Sequence, residues 1–164
     1  MATVIKNLSD YDSIKVPSGK GKRIAILVSE WNSQITFSLR DAAVSSLKKH
    51  GVNDSDIEIH YVPGAFELTL GAEWAGTEEN IDAVICIGCV IKGETPHFDY
   101  ICQGVTYGIT ELNISLSKPV IFAVLTTNTL EQAIDRSGGV HGNKGDEAAI
   151  TALKMLGLRD KMKK

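Results

Sequence analysis

The chain has 164 residues and 43% hydrophobic content, enough for one ordinary domain that buries a core without disulfides or metals. Its 20 acidic residues exceed its 17 lysines and arginines, and the net charge of -3 supplies no positive field for a nucleic acid backbone. No apolar run approaches the roughly 20 residues that cross a bilayer, and residues 1–10 lack the apolar stretch of a signal peptide. These features predict a cytoplasmic protein that binds neither nucleic acid nor membrane.

A polar N-terminal arm is predicted to precede a regular domain. Residues 1–22 are polar and contain turn-forming proline and glycine, which predicts an N-terminal arm, whereas residues 23–164 are predicted to form a single domain. Residues 24–28 are a continuous apolar run, typical of a strand buried on both faces of a parallel sheet. An amphipathic pattern over about 33–49 then predicts a helix that stops at Gly51.

The same alternation recurs in the middle of the chain. A second strand is predicted over 57–62 and a second helix over about 65–74. The apolar run 83–91 predicts a third strand. Apolar residues then recur at spacings of three and four over 98–116, which predicts a third helix that ends before Pro119.

The last part of the chain is predicted to begin with a strand over 120–125 and a short helix over about 129–136. A glycine-rich link over 138–145 then leads to a final helix over 147–156. Thr129 and Gln132 have the spacing of a capping box at the start of the short helix. Gly157 is expected to end the final helix.

Four alternations of strand and helix predict an α/β three-layer sandwich, with a four-stranded parallel sheet flanked by helices on both faces. Ligands of open parallel sheets bind outside the carboxyl ends of the strands, so the turns that follow the strands are candidate walls of a site. These turns cover residues 29–32, 63–67, 92–97 and 126–129.

Aromatic and polar residues in the first two turns suit a flat ligand. Trp31 and Phe66 can enclose a heterocycle between their rings, and Asn32 can bond its edge. In the alternative interpretation, both rings plug the top of the core. Glu67 either serves a polar ligand or is a first-turn acid favoured by the helix dipole.

The turn Gly93-Glu94-Thr95 opens the third helix, where free backbone N–H groups favour an anion such as phosphate. The sequence contains neither a nucleotide-binding P-loop nor a dinucleotide fingerprint. His97 follows this turn, and histidine is the side chain best suited to proton transfer near neutral pH. The alternative role of His97 is to help cap the helix.

No metal site or disulfide is predicted. Cys86, Cys89 and Cys102 are odd in number and lie among apolar residues. Cys86 and Cys89 do form a C-x-x-C, but it lies in a predicted strand, on which residues three apart face opposite sides. Apolar packing is therefore the favoured interpretation of these thiols over redox or metal chemistry.

The motifs in these turns, taken together and in order, resemble those of the lumazine synthase family over residues 23–158. The most specific stretches are VPGAFE at 62–67, GCVIKGETPHFDY at 88–100, EQA at 131–133 and GNKG at 142–145. The resemblance implies condensation of 5-amino-6-(D-ribitylamino)uracil with 3,4-dihydroxy-2-butanone 4-phosphate. The products are 6,7-dimethyl-8-ribityllumazine, phosphate and water, in riboflavin biosynthesis and without a cofactor or metal.

The resemblance also assigns site residues. It implies that Trp31 stacks on the pyrimidine, that main-chain donors of Glu94 and Thr95 hold the phosphate, and that His97 is catalytic. It implies that Ala65, Phe66 and Glu67 surround the ribityl side of the pyrimidine, and that Cys89, Val90 and Ile91 bond its polar edge through their backbone. Sites of this family lie between the subunits of a pentamer, so the resemblance implies that Phe122, Arg136 and Lys144 come from a neighbouring chain.

Two positions depart from the usual family pattern. Trp31 stands where phenylalanine is usual, and Glu94 replaces a smaller residue, so its side chain is expected to face solvent. Three alternatives remain open: an archaeal-type riboflavin synthase, which consumes lumazine, a flavin-binding or storage protein that has lost the reaction, and a bare structural shell. The family also leaves a pentamer, a decamer of paired pentamers and a sixty-subunit shell open.

Overall fold

Four parallel strands form the central sheet of the computed structural model, which describes residue 7 and residues 9–163. The strands are β1 (Ile24–Ser29), β2 (Ile57–Val62), β3 (Ala83–Ile91) and β4 (Val120–Thr127). They lie in the order β2-β1-β3-β4, so that β1 and β3 are central and β2 and β4 are edges. The predicted four-stranded parallel sheet is confirmed, and each strand begins at the predicted residue.

The central strands are apolar on both faces because both faces are covered. β1 is buried along its whole length, and its alternate side chains point to opposite sides of the sheet. Ile24, Ile26 and Val28 join one hydrophobic cluster, while Ala25 and Leu27 join the other. This double burial explains the continuous apolar run in the sequence.

Five helices flank the sheet: α1 (Ser33–Lys49), α2 (Leu68–Thr77), α3 (His97–Ser115), α4 (Leu130–Ile134) and α5 (Lys144–Met162). Helices α1 and α5 pack against each other on one face, and α2 and α3 pack on the other. The predicted three-layer α/β sandwich is therefore confirmed.

Helix α2 begins at Leu68, three residues later than predicted. Residues 65–67 form a turn instead, in which the N–H of Leu68 donates to the carbonyl of Ala65 at 3.3 Å. The difference matters for function, since it leaves the segment 65–67 as a loop at the carboxyl end of β2.

The predicted capping box of α4 is confirmed with one change of partner. The hydroxyl of Thr129 accepts from the N–H of Gln132 at 3.3 Å, as expected. The side chain of Gln132 accepts from the N–H of Asn128 at 2.9 Å, one residue before the cap.

The predicted end of the last helix is wrong. Helix α5 continues through Gly157 to Met162. A Cβ at Gly157 would lie 2.6 Å from Cγ of Pro17, so this glycine permits a close approach of the N-terminal arm. A tertiary contact, and not helix termination, accounts for the residue.

The glycine-rich link contains a small hairpin that was not predicted. Its strands are β5 (Ser137–Gly139) and β6 (Gly142–Asn143), which pair in antiparallel fashion. Helix α5 then starts directly at Lys144, three residues earlier than predicted, because Asn143 caps it by accepting from the N–H of Gly145 at 2.8 Å.

The N-terminal arm contacts the end of α1. The ring of Tyr11 lies 5.7 Å from that of His50, which caps α1, and Gly19 N–H donates to the His50 carbonyl at 2.8 Å. Residues 1–6 and 8 of the predicted arm lie outside the described residues. The division at residues 22 and 23 stays a prediction.

Replacement of Gly145 by alanine is expected to destabilise the fold. A Cβ there would lie 2.8 Å from the carbonyl carbon of Leu39, where the backbones of α5 and α1 meet. We expect the added methyl group to lower the free energy of unfolding by about 1–3 kcal/mol through overpacking. Alanine offsets part of this loss by its higher helix propensity, which contributes about 1 kcal/mol. Urea denaturation measures this difference. Gly93→Ala is the matched control, since nothing lies within 4 Å of its added methyl group. Equal stability of both variants would refute the close approach as a constraint.

Candidate functional site

A cavity of about 540 Å³ lies at the carboxyl ends of β1, β2 and β3. It gathers residues from the first three strand-to-helix turns, which are distant in sequence. The lining comprises Trp31, Asn32, Gly64, Ala65, Phe66, Glu67, Cys89, Val90, Ile91, His97 and Ile101. Of these, Gly64 and Ile101 were not among the predicted site residues.

Backbone hydrogen bonds beyond the strand ends hold the first two turns together. The N–H of Glu30 donates to the carbonyl of Val62 at 2.8 Å, and that of Trp31 donates to Pro63 at 3.1 Å. The indole of Trp31 is nevertheless 74% exposed and the ring of Phe66 is 58% exposed. Neither ring is buried in the core, so the alternative interpretation of these residues as core plugs is wrong for this chain.

Asn32 links the first turn to β3. Its backbone has φ 61° and ψ 42°, a left-handed conformation that asparagine tolerates better than most residues. From there its side-chain amide donates to the carbonyl of Cys89 at 2.9 Å. This hydrogen bond fixes the side chain of Asn32 at the cavity wall and uses one of its amide protons within the chain.

The floor of the cavity is the end of β3. The pairing of β3 with β1 ends at Ile87, whereas its pairing with β4 continues to Ile91. Beyond Ile87, therefore, β3 has no strand partner on the β1 side. Main-chain groups of successive strand residues point to opposite sides, so those of Val90 face β4, as the N–H of Lys92 does in donating to Thr127. The main chain of Cys89 and Ile91 faces the open side, where the carbonyl of Cys89 already accepts from Asn32 and Ile91 can bond a ligand.

The turn before α3 lies outside the cavity lining. Glu94 and Thr95 are both exposed, and α3 begins at His97 with Pro96 in the capping position. Pro96 makes no side-chain capping bond at this helix start. The N–H groups of Asp99 and Tyr100 are bonded to the carbonyl of Pro96, at 3.0 and 3.3 Å.

His97 is the first residue of α3, and its side chain is exposed and lines the cavity. The rings of Trp31 and Phe66 and the open edge of β3 line the same cavity. An exposed imidazole beside bound substrate is suited to proton transfer.

Arg136 and Lys144 line a second cavity of about 300 Å³ beyond the end of β4, which has no lining residue in common with the first. The guanidinium of Arg136 donates to the carbonyl of Gln132 at 2.9 Å, and Nζ of Lys144 pairs with Glu147 at 2.7 Å. Phe122 lines neither cavity and is partly buried against the core. Within one chain, these three predicted residues therefore do not line the cavity that contains Trp31, Phe66 and His97.

A larger cavity of about 630 Å³ runs along the edge strand β2 and helix α2. It includes His60 and the exposed Trp74, which the sequence did not identify as site residues, and it shares Glu67 with the first cavity. His97 and the open edge of β3 are absent from it, so the smaller cavity is the better candidate for chemistry.

The thiols are free and their environments do not favour thiolates. Cys86 and Cys89 lie in opposite hydrophobic clusters, as predicted, and burial raises the pKa of Cys86 to about 12 and that of Cys89 to about 11. Burial, followed by the charge of Asp99, raises the pKa of Cys102. Within residue 7 and residues 9–163, no cluster of three metal-binding side chains occurs and no helix is long and apolar enough to cross a bilayer.

Comparison with known proteins identifies the family. The family model described as 6,7-dimethyl-8-ribityllumazine synthase matches residues 21–160. A 6,7-dimethyl-8-ribityllumazine synthase of Porphyromonas gingivalis is 58% identical over 96% of this chain and 98% of its own length. Those of Phocaeicola vulgatus and Cytophaga hutchinsonii are 54% and 56% identical, over 100% and 95% of this chain and 98% of their own lengths. The chain belongs to the 6,7-dimethyl-8-ribityllumazine synthase family and is an enzyme, a transferase.

Proposed function

We propose that the chain condenses 5-amino-6-(D-ribitylamino)uracil with 3,4-dihydroxy-2-butanone 4-phosphate. The products are 6,7-dimethyl-8-ribityllumazine, phosphate and water, in riboflavin biosynthesis in the cytoplasm, and no cofactor or metal takes part. The observation that carries the proposal is the cavity that combines two exposed aromatic rings, the open edge of β3 and His97 in a chain of this family. Residues 23–164 form the single domain that does this work.

The pyrimidine fits the part of the cavity nearest β1 and β3. The exposed indole of Trp31 offers a face on which the ring stacks. The main chain of Cys89 and Ile91 offers polar groups to its polar edge, and Val90 lines the cavity between them. The segment 65–67, left as a loop by the late start of α2, surrounds the ribityl chain, where the carboxylate of Glu67 accepts from hydroxyl groups.

The phosphate fits the region where α3 begins. Main-chain N–H groups at Glu94 and Thr95, with the positive end of the helix dipole, hold an anion there. Because no lysine or arginine among residue 7 and residues 9–163 lines the first cavity, Arg136 and Lys144 reach the phosphate from a neighbouring subunit, together with Phe122. Arg136 binds two phosphate oxygens with its planar fork, and Lys144 adds a point charge.

The reaction then needs positioned reactants and proton transfers. The 5-amino group attacks the ketone and a water leaves as the imine forms. The proton at C3 and the phosphate at C4 then leave, and the resulting enol tautomerises to a new ketone at C3. Attack of the ribitylamino nitrogen on this ketone closes the ring and releases a second water. His97 moves the protons between these atoms, and the cations stabilise the departing phosphate.

The division of the site supports a proposal for the assembly. A first surface carries His97 and a different surface carries Arg136, so each subunit gives one half of a site to each of two neighbours. Contacts between unlike surfaces form rings when the rotation between neighbours closes. We propose the pentamer of the family as the active unit, which also serves as the repeating unit of a decamer or a sixty-subunit shell.

The activity is tested with the purified protein and both substrates. We expect a fluorescent lumazine product and inorganic phosphate in equal amounts, at a rate far above that of the mixture without protein. Absence of product above the uncatalysed rate would refute the proposal. Consumption of added lumazine would instead indicate a riboflavin synthase, and co-purification of riboflavin without turnover would indicate a flavin-binding protein.

His97→Ala is expected to lower kcat by about 10²-fold, the lower end of what a positioned general acid–base contributes, since His97 is exposed. Binding of the pyrimidine substrate, measured by fluorescence titration, should change little because its stacking and main-chain contacts remain. His60→Ala is the matched control, an exposed histidine on β2 that lies outside the first cavity. If both variants turn over like the original chain, His97 has no catalytic role.

The shared site is tested by mixing inactive variants. When His97→Ala and Arg136→Ala chains are unfolded and refolded together, about a quarter of the intersubunit sites should carry both intact halves. We therefore expect about a quarter of the original activity to return. His97→Ala mixed with Trp31→Ala is the control, since both changes damage the same half and no mixed site is intact. Lack of recovery in the first mixture would place all of these groups in one chain.

A further inference from the structure

The N-terminal arm is bonded to the segment that carries the two cations. The hydroxyl of Ser9 donates to a carboxylate oxygen of Asp146 at 2.6 Å and accepts from the N–H of Asn143 at 3.0 Å. The arm also covers Gly142, since a Cβ at that glycine would lie 2.8 Å from the backbone nitrogen of Ser9. The arm therefore touches both the hairpin β5–β6 and the first turn of α5.

Helix α1 reaches the same carboxylate from the other side. The hydroxyl of Ser46 donates to the second oxygen of Asp146 at 2.7 Å. Asp146 thus joins the arm, α1 and α5 through one side chain. Its charge is favoured at this position, in the first turn of α5, by the helix dipole.

Asn143 completes the group. Its side chain is buried and uses both ends, because the amide oxygen accepts from the N–H of Gly145 at 2.8 Å and the amide nitrogen donates to the carbonyl of Ser38 at 3.3 Å. The hydroxyl of Ser38 in turn donates to the carbonyl of Ser137 at 2.5 Å. Both strands of the hairpin are in this way attached to α1.

Lys144 lies directly between the bonded backbones of Asn143 and Gly145. Its own N–H donates to the carbonyl of Arg136 at 2.9 Å, so that the two cations are held relative to each other. Both line the cavity beyond β4. The bonds around Asp146 therefore act on the backbone that determines where these two side chains start.

We propose that Ser9, Ser46, Asn143 and Asp146, here named the polar clamp, position Lys144 and Arg136 for the phosphate of the substrate. Ser9 and Asp146 are positioning residues that act through Lys144 and do not touch substrate. This inference rests on the function proposed above. It gives the N-terminal arm a role in phosphate binding, beyond that of a lead-in to the domain.

The clamp also limits a competing interaction. Lys144 already pairs with Glu147 at 2.7 Å, and the carboxylate of Asp146, two residues away, is a further alternative partner for this cation. Because both oxygens of Asp146 accept from serine hydroxyls, the carboxylate is engaged away from this role. Loss of either hydroxyl removes a hydrogen bond to a charged group, for which a tenfold effect on an equilibrium is an ordinary size.

The test is steady-state kinetics with each substrate varied in turn. We expect Ser9→Ala and Ser46→Ala each to raise KM for 3,4-dihydroxy-2-butanone 4-phosphate by about tenfold. KM for the pyrimidine should stay unchanged. Ser9→Thr keeps the hydroxyl and should restore the low value. Ser13→Ala is the matched control, an exposed arm serine in a short 3₁₀ turn outside the clamp.

A double variant separates positioning from general stabilisation. If Ser9 acts through Lys144, Ser9→Ala adds no further rise in KM once Lys144→Ala is present. Additive rises, equal rises for both substrates, or an unchanged KM in an active Ser9→Ala enzyme would each overturn the inference. Ser46→Ala keeps the test decisive if Ser9→Ala fails to fold. An original chain without synthase activity would refute the proposed function itself, a result distinct from all of these.

Discussion

β1 pairs in parallel with β2 on one side and with β3 on the other, and burial on both faces leaves no freedom in that register. Ile24 stands beside Ile57 and Ala83 at one end, and Val28 stands beside Tyr61 and Ile87 at the other. The turns after these strands are consequently brought to one edge of the sheet. Because β3 is longer than β1, its last residues project into that edge with one side unpaired, and the cavity forms around them.

β1, β3 and β4 could be predicted from the sequence because each contains a continuous apolar run with the length of one sheet crossing, whereas Glu58 and His60 interrupt the run in the edge strand β2. Glycine was less informative, since its role depends on what approaches it. Gly51 does follow the end of α1, but Gly157 lies inside α5 and accommodates Pro17. The hairpin over 137–143 escaped prediction for a related reason, because strands this short are specified by bonds to α1 and not by an apolar pattern.

Much of the cavity could also be predicted, because residues next to strand ends in a parallel sheet share an edge whatever else the chain does. Trp31, Phe66 and His97 each follow a predicted strand, which predicts their position at this edge, and the structure brings them into one cavity. Two features depended on long-range bonds and were not foreseen. These are the hydrogen bonds from Asn32 to Cys89 and from Ser9 to Asp146, which join residues far apart in the chain.

The strand order also bears on why such a site would need a second subunit. In the order β2-β1-β3-β4, the first cavity opens over the end of β3, while Arg136 and Lys144 lie beyond the outer strand β4. Cations and histidine are therefore on different surfaces of one chain. A two-fold dimer brings like surfaces together, whereas a contact between unlike surfaces repeats from subunit to subunit and forms a ring when the rotation between neighbours closes. On the proposed function, the anionic phosphate meets its full set of donors only where the edge of one subunit covers the cavity of the next.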